Sequence, residues 1–270
     1  MSIELIQYLL SVISGVLVGF SLGLIGGGGS ILAIPLLLYF VGYDHPHIAI
    51  GTTALAVGIN SYLNLIPHAL RHNVILKNGL FFTIPGIFGV LLGTELGLLT
   101  PGKSLLFLFG ILMIGVAILM IVRLNGKTRN KNALEDRKDN QKMEINVPKI
   151  ISIGAVVGFA SGYFGIGGGF LIVPGLLFSS NLPLIQAIGT SLMSVGTFGV
   201  VTAIRYGIAG KLNILISVLF VLGGISGGWI GAKISSQMPR RTLTYVFSGI
   251  IIAVAIYVMI LNANYFFSSL

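Results

Sequence analysis

The chain has 270 residues, of which 55% are hydrophobic and only 9% are charged, and its mean hydropathy is +0.99. Soluble domains carry charge on about a quarter of their residues, so this composition excludes a soluble globular protein. Because the apolar runs are continuous, the sequence predicts an all-α, polytopic helical membrane protein with the lipid bilayer as its surroundings. The chain has no cysteine, which excludes a disulfide framework and a thiolate metal site, and no cofactor is expected.

The formal net charge of +9 is concentrated in one segment, because eight of the sixteen basic residues and four of the seven acidic residues lie between positions 123 and 149. This segment has no aromatic residue for base stacking and mixes charges of both signs, so nucleic acid is not expected as a partner. An excess of Lys and Arg is typical of cytoplasmic loops in membrane proteins. We therefore interpret 123–149 as a basic cytoplasmic loop.

Ten apolar runs surround this loop, five on each side. The loop divides the chain into a first transmembrane repeat (1–122) and a second one (150–270). The runs are 5–24, 30–42, 47–66, 79–99, 104–123, 150–165, 169–180, 184–204, 212–232 and 242–262.

The two halves resemble each other in sequence, which predicts an internal repeat. An offset of 139 aligns Gly19–Pro35 with Gly158–Pro174 at eight identical positions, and an offset of 138 aligns AIGTTALAVG (49–58) with AIGTSLMSVG (187–196). In a third block we align the halves at an offset of 134. That offset pairs Arg71 with Arg205, Lys77 with Lys211, Gly93 with Gly227 and Gly97 with Gly231.

The second run of each half is short, about 12 residues or roughly 18 Å of helix against a hydrocarbon core of about 30 Å. A glycine-broken helical hairpin or an unusually short crossing pair fits this length, and either gives each half an odd number of crossings. We therefore expect inverted repeats with both termini outside. The alternative is that the two short arms of each half form one broken helix, which would make the repeats parallel. Charge alone barely separates the two arrangements, because the inverted one places thirteen basic residues inside and three outside, whereas the parallel one places twelve inside and four outside.

Two glycine runs, GGGGS (26–30) and GIGGGF (165–170), begin these short segments. Successive glycines disfavour helix, so we expect unwound turns whose free N–H groups, at the positive end of a following helix, bind an anion near the midplane. The alternative is that these glycines only allow close helix packing. The candidate binding residues here are Gly27, Gly28, Gly29, Ser30, Gly167, Gly168 and Gly169.

A second set of candidates consists of hydroxyl pairs that follow the glycine runs: Thr52 and Thr53, and Thr190 and Ser191. Hydroxyls bind oxyanions without adding charge, although in membrane helices they also bond to their own backbone carbonyls. Asn60 extends the polar face of the first half, but its partner in the second half is Phe198. We therefore expect the site to be asymmetric.

Charged residues near the ends of apolar runs are weaker candidates. Arg71 and Arg205 either anchor helix ends or attract anions into the path. Glu95, aligned with Trp229, is a candidate carrier of a coupling proton. The four histidines lie in short loops or helix ends without a set of carboxylates, so no metal site is expected.

The motifs GGGGSILAIPLLL and GIGGGFLIVPGLL, each followed by AIGTT or AIGTS, are similar to those of the TauE/SafE family of membrane transporters. The resemblance implies a secondary transporter of the plasma membrane that exports a small sulfur-containing anion such as sulfite, sulfoacetate or another organosulfonate. An anion channel of the same architecture is the alternative. An enzyme is not expected, because no nucleophile is paired with a base, and a homo-oligomer stays open.

Overall fold

The computed structural model describes residues 3–25, 27–129, 146–165, 169–180, 182–235 and 240–268, and all regular structure in these ranges is helical. Ten α-helices are numbered here in chain order. They are α1 (Ile3–Ile25), α2 (Ala33–Pro35), α3 (Pro46–Leu70), α4 (Leu76–Leu99), α5 (Gly102–Arg129), α6 (Val147–Phe164), α7 (Gly169–Ser179), α8 (Leu184–Ile208), α9 (Ile214–Ser235) and α10 (Arg240–Ser268).

Seven of the helices in the described ranges are long and apolar enough to cross a membrane, namely α1, α3, α4, α5, α6, α8 and α9. Large apolar side chains cover the outside of the bundle, for example Leu99 at 80% exposure and Trp229 at 79%. Such a surface suits lipid and not water. The expectation of a polytopic helical membrane protein is therefore confirmed.

The two short segments are helical but differ in regularity. Residues 27–40 comprise a 3₁₀-helix (Gly27–Leu32), the single turn α2 and a π-helix (Leu36–Phe40), whereas α7 is an α-helix of 11 residues. Gly27 to Gly29 therefore lie in a 3₁₀-helix, and the expectation of an unwound turn at these positions is wrong.

Two pairs of helices are held together by glycines. In the first pair, Gly15 and Gly19 of α1 lie against the backbone of Phe220 and Gly224 of α9. The second pair repeats this contact, with α6 against α4. In both pairs the residue numbers increase together, so the helices run parallel. Because any side chain at these glycines would collide with the neighbouring backbone, each pair packs at the closest distance that two helices reach.

The third pair, α3 and α8, forms the centre of the molecule. Gly58 of α3 lies against Gly196 and Gly199 of α8, and Gly51 near the start of α3 lies against Tyr206 near the end of α8. The two helices therefore cross antiparallel at Gly58. Helices α5 and α10 pack against each other beside this centre.

The helix boundaries correct the third block of the sequence alignment. Helices α3 and α8 both have 25 residues and begin at residues 46 and 184, which are 138 apart. Helices α4 and α9 begin at residues 76 and 214, again 138 apart. The offset of 134 is therefore wrong by four residues, about one helical turn. At the corrected offset Glu95 corresponds to Lys233 and Arg205 to Pro67.

Both ends of the hydrophilic segment are helical in the described residues. Helix α5 continues to Arg129 and α6 begins at Val147, so both helices extend into the segment 123–149. Asn146 caps α6 by accepting a hydrogen bond from the backbone N–H of Lys149 at 3.2 Å, which is the usual role of asparagine before a helix.

Candidate functional site

Thr52 connects the first half of the chain to the start of α9. Its Oγ1 accepts a hydrogen bond of 3.0 Å from the backbone N–H of Asn213, and its carbonyl accepts one of 3.0 Å from the Ser217 hydroxyl. Asn213 also donates from its side chain to the Tyr43 hydroxyl at 3.0 Å. We call this region, where α3 and α9 begin, the Asn213 end. A helix start leaves backbone N–H groups without partners, and Thr52 satisfies one of them from another helix.

Thr190 does the same at the opposite end of the molecule. Its Oγ1 accepts a hydrogen bond of 2.9 Å from the backbone N–H of Ile75, the residue that precedes α4. We call this region, where α8 and α4 begin, the Ile75 end. Thr52 and Thr190 are 138 residues apart, as are Ile75 and Asn213, so each half caps a helix of the other half in the same way.

The four predicted hydroxyls divide into two kinds. Thr53 donates to the carbonyl of Ala49 at 2.8 Å, and Ser191 donates to the carbonyl of Ile188 at 2.7 Å. These two hydroxyl protons are used within their own helices, which is the alternative that the sequence left open. Thr52 and Thr190 only accept hydrogen bonds among the described residues, so their protons are the ones left to donate to an anion.

The second glycine segment contacts the first half. Gly165 ends α6 in a left-handed conformation with φ of 67°, which glycine adopts without steric cost. A side chain there would collide with Ile50, two residues before Thr52. Gly169 begins α7 and is buried, whereas Gly167 and Gly168 lie outside the described residues. In the first segment Ser30 is fully buried.

The structure does not gather the two hydroxyl pairs at one midplane site. Thr52 precedes the crossing residue Gly58 by six residues, and Thr190 precedes Gly196 by six. At a rise of about 1.5 Å per residue, each threonine lies about 9 Å from the crossing, on opposite sides of it. The candidates therefore form two separate groups, one at the Asn213 end and one at the Ile75 end.

Asn60 is the predicted residue nearest to the centre, two residues beyond Gly58 and 1% exposed. Its amide lies where a side chain at Gly224 of α9 would be placed. Phe198 occupies the equivalent position of α8 and lies in the same way against Gly86 of α4. The two positions therefore share their backbone packing but differ in chemistry, since one side chain is polar and the other is aromatic.

The charged candidates lie at the periphery. Arg205 and Glu95 form an ion pair between α8 and α4, and their side chains are 34% and 50% exposed. Arg71 follows the last residue of α3 at the Ile75 end and is exposed. Exposed ion pairs contribute about 0 to 1 kcal/mol to stability, so the pair anchors the two helices only weakly.

Sequence reasoning missed several residues that the fold brings to the threonines. Tyr43, Asn213 and Ser217 lie in or beside short connections and carry no local signal that they contact Thr52. The offset of 138 would have paired Asn213 with Ile75, both directly before a helix. No group of three or more metal-binding side chains occurs in the part of the chain that the structure describes.

Comparison with known proteins gives consistent matches along the chain. Residues 11–258 match the family model described as "Sulfite exporter TauE/SafE". A relative in Xylella fastidiosa named "Probable membrane transporter protein" is 46% identical over 248 residues, which covers 91% of this chain and 92% of the relative. YunE of Bacillus subtilis, with the same descriptive name, is 26% identical over 92% of this chain and 96% of its own length. No solved structure matches the chain.

Proposed function

Because the chain belongs to the TauE/SafE family of membrane transporters, we propose that it is a secondary transporter that exports a small sulfur-containing anion. Sulfite, sulfoacetate and other organosulfonates are the substrates to be tested first. The observation that carries this proposal is the pair of cross-half threonine caps. Each places a hydroxyl with a free proton beside a helix start, where positive dipole ends favour an anion.

The glycine segments add to these two positions. Gly165 lies directly against Ile50 and so brings the end of α6 to the first turns of α3. Gly27, Gly28, Gly29 and Ser30 form the start of the other short segment, which packs against α7. Backbone that departs from the α-helix within a membrane is tolerated where it is buried in protein or lines a wet cavity. We propose that these segments line the anion path.

Inverted repeats are the arrangement that these contacts support best. Equivalent helices α3 and α8 cross antiparallel, and the pair α1–α9 has its counterpart in α6–α4. A two-fold axis in the membrane plane would relate 1–122 to 150–270 in this way, and transporter sites commonly lie at such a repeat interface.

The distribution of charge orients the protein in our proposal. Helix α6 begins, and α5 and α9 end, at the Ile75 end, so the described basic residues Lys149, Arg71, Lys77 and Lys233 belong to that end. Lys103, Arg205 and Lys211 belong to the Asn213 end. The positive-inside rule then places the Ile75 end in the cytoplasm of a plasma membrane and both chain termini outside.

Alternating access follows from which helices are packed most tightly. In our proposal the glycine-packed pairs α1–α9 and α4–α6 each move as a unit. A threonine cap ties each pair to the central α3–α8 pair at one end of the molecule, beside the bond of Ser217 to the Thr52 carbonyl and the bond between Thr83 and Ser194. In our proposal, opening the Asn213 end breaks the Thr52 cap and opening the Ile75 end breaks the Thr190 cap. A substrate is released at the end whose cap is broken.

Counterflow in proteoliposomes tests this proposal. Liposomes loaded with unlabelled sulfite or sulfoacetate are expected to accumulate labelled substrate, with saturable rates. Thr52→Val is expected to lower the rate about tenfold or more, whereas Thr53→Val, whose hydroxyl is bonded within its own helix, serves as the matched control and is expected to retain it. Non-saturating conductance would indicate an anion channel instead. Equal rates for both variants would contradict the assignment of Thr52.

A further inference from the structure

The amide of Asn60 is buried without a partner. Neither its Nδ2 nor its Oδ1 forms a hydrogen bond with any described residue, and the residue is 1% exposed. The nearby Asn64 donates to the backbone carbonyl of Asn60 at 2.9 Å and so does not pair with the amide. A buried amide with both polar atoms unsatisfied is rare. Each of these atoms loses its hydrogen bond to water on folding and gains none in the protein, which destabilises the folded state.

The amide lies near the centre of the molecule, between α3 and α9. Asn60 lies two residues beyond the crossing of α3 and α8, which is about 3 Å along the helix. The residue that faces it on α9 is Gly224, and Gly19 of α1 lies directly behind Gly224. Neither glycine offers a side chain that pairs with the amide. An anion would reach the amide only if the α1–α9 pair moved away from α3, because Gly224 packs directly against it.

Several buried hydroxyls of the first half have no polar counterpart at the equivalent positions of the second half, although the second half has buried hydroxyls elsewhere, at Ser161, Ser194 and Thr202. Ser61 of α3 and Ser14 and Ser21 of α1 are buried, and their hydroxyls have no partner among the described residues. At offsets of 138 for α3 and 139 for α1, the second half has apolar residues or glycine in place of these four side chains. The replacements are Phe198 for Asn60, Gly199 for Ser61, Ile153 for Ser14 and Ala160 for Ser21.

We propose that Asn60 binds the transported oxyanion and selects the form that still carries an acid proton. This inference rests on the proposed function and narrows its substrates to oxyanions such as sulfite, because an organosulfonate group carries no acid proton near neutral pH. The amide offers one donor and one acceptor side by side, so its complement is a group that accepts at one oxygen and donates from another. A singly protonated oxyanion has both: Nδ2–H donates to an anionic oxygen, and Oδ1 accepts from the acid O–H. A fully ionised oxyanion leaves Oδ1 facing negative charge.

Selection of the singly protonated form also explains how an anion enters a protein core that has no buried cationic side chain among the described residues. All buried polar residues among those described are serine, threonine or asparagine, and a doubly charged anion is costly to bury without a counter-charge. Protonation removes one negative charge before the anion is buried. The proton then travels on the substrate, from the side where the anion is protonated to the side where it is released, and no membrane carboxylate has to carry it.

Binding to the purified full-length protein tests this inference, with sulfite on the acid and alkaline sides of its second ionisation and with methanesulfonate, which has no acid O–H at these pH values. The parent is expected to bind sulfite at least tenfold more tightly on the acid side. Asn60→Leu is expected to lose that preference and at least tenfold in affinity. Asn60→Asp, which keeps the shape and removes the NH₂ donor, is expected to lose affinity as well.

Asn262→Leu is the matched control, because Asn262 is buried but already bonded to the Tyr39 hydroxyl at 2.8 Å and the Val258 carbonyl at 2.7 Å. It is expected to bind sulfite within twofold of the parent. If the parent, Asn60→Leu and Asn60→Asp bind sulfite equally well, Asn60 holds only a buried water. That result overturns this inference and leaves the proposed function standing. No binding of any oxyanion by the parent overturns both.

Discussion

Around Asn60, helix α3 meets the pair α1–α9 at Gly19 and Gly224; around Phe198, helix α8 meets the pair α6–α4 at Gly158 and Gly86. The backbone packing is the same in both junctions, down to glycine against glycine. The side chains differ, because one junction contains an unpaired amide and the other a fully buried phenyl ring. The comparison indicates that the two junctions share their backbone packing but differ in polar chemistry, because the hydroxyls of Thr83 and Ser194 beside Phe198 are paired with each other at 2.6 Å, whereas the amide of Asn60 has no partner among the described residues.

The largest effect is expected from breaking the scaffold that both junctions share. Gly19→Leu and Gly158→Leu place a side chain into the backbone of Gly224 and Gly86, respectively. Overpacking of this kind costs about 3 kcal/mol, so both variants are expected to lose the monodisperse peak in size-exclusion chromatography. Gly115→Leu is the control, since no atom lies within 4 Å of the position of a new Cβ there. Loss of folding in only one of the two variants would contradict the shared packing.

Exchanging the chemistry of the junctions sharpens the comparison. Phe198→Asn leaves a cavity and buries a second unpaired amide, so a loss of about 3 to 5 kcal/mol is expected. Asn60→Phe adds apolar volume and removes the unpaired amide, so a smaller change in stability with loss of oxyanion binding is expected. Thermal unfolding in detergent measures the first effect. A Phe198→Asn variant as stable as the parent would show that the second junction is already hydrated.

The two threonine caps allow a third comparison, in which the expected changes in stability are smaller. Thr52→Val and Thr190→Val each remove one cross-half hydrogen bond, at a cost of about 1 kcal/mol. Thr52→Val leaves the Ser217 bond to the Thr52 carbonyl and the Asn213 bond to Tyr43 in place at the Asn213 end. Among the described residues, Thr190→Val leaves no other side-chain hydrogen bond at Ile75 itself, and the bond between Thr83 of α4 and Ser194 of α8 lies nearer the centre. The Ile75 end is therefore expected to open more readily, as measured by the labelling rate of a cysteine placed at Asn73.

A faster labelling rate at the Asn213 end, measured with a cysteine placed at Leu212, would contradict this order. Ser217→Ala in the Thr52→Val background is expected to make the labelling rates at the two ends more similar, because it removes the bond from Ser217 to the Thr52 carbonyl. Thr53→Val is expected to change neither rate, because its hydroxyl bonds to its own helix.

The smallest effect is expected at the ion pair of Arg205 and Glu95. Both side chains are partly exposed, so Glu95→Gln is expected to cost no more than about 1 kcal/mol and to leave proton-gradient dependence of transport unchanged. Transport driven by an imposed pH gradient in proteoliposomes measures this. Loss of the gradient effect in Glu95→Gln would restore Glu95 as the carrier of the coupling proton and contradict the role of Asn60.

Composition and sequence patterns were sufficient to predict the class of protein and the spacing of equivalent helices in two of the three aligned blocks. Continuous apolar runs predicted every long helix, because lipid leaves the backbone no other partner than itself, and the offsets of 138 and 139 at AIGTT and the first glycine run match the helix boundaries. The alignment of the third block was displaced by one helical turn, because glycines recur every four residues along α4 and α9. A shift of four therefore superimposes glycines as well as the correct register does.

Only the tertiary structure decided which candidates lie together. The sequence placed Thr52 and Thr190 in equivalent positions, but their separation depends on α3 and α8 crossing antiparallel at Gly58, which brings Asn60 to the centre and sends the threonines to opposite ends. It was also the fold that gave Thr52 its partner Asn213, 161 residues away. Local sequence determines what a segment buries, since burial follows from hydrophobicity along one helix; which polar atoms meet is decided by contacts between helices that no local pattern encodes.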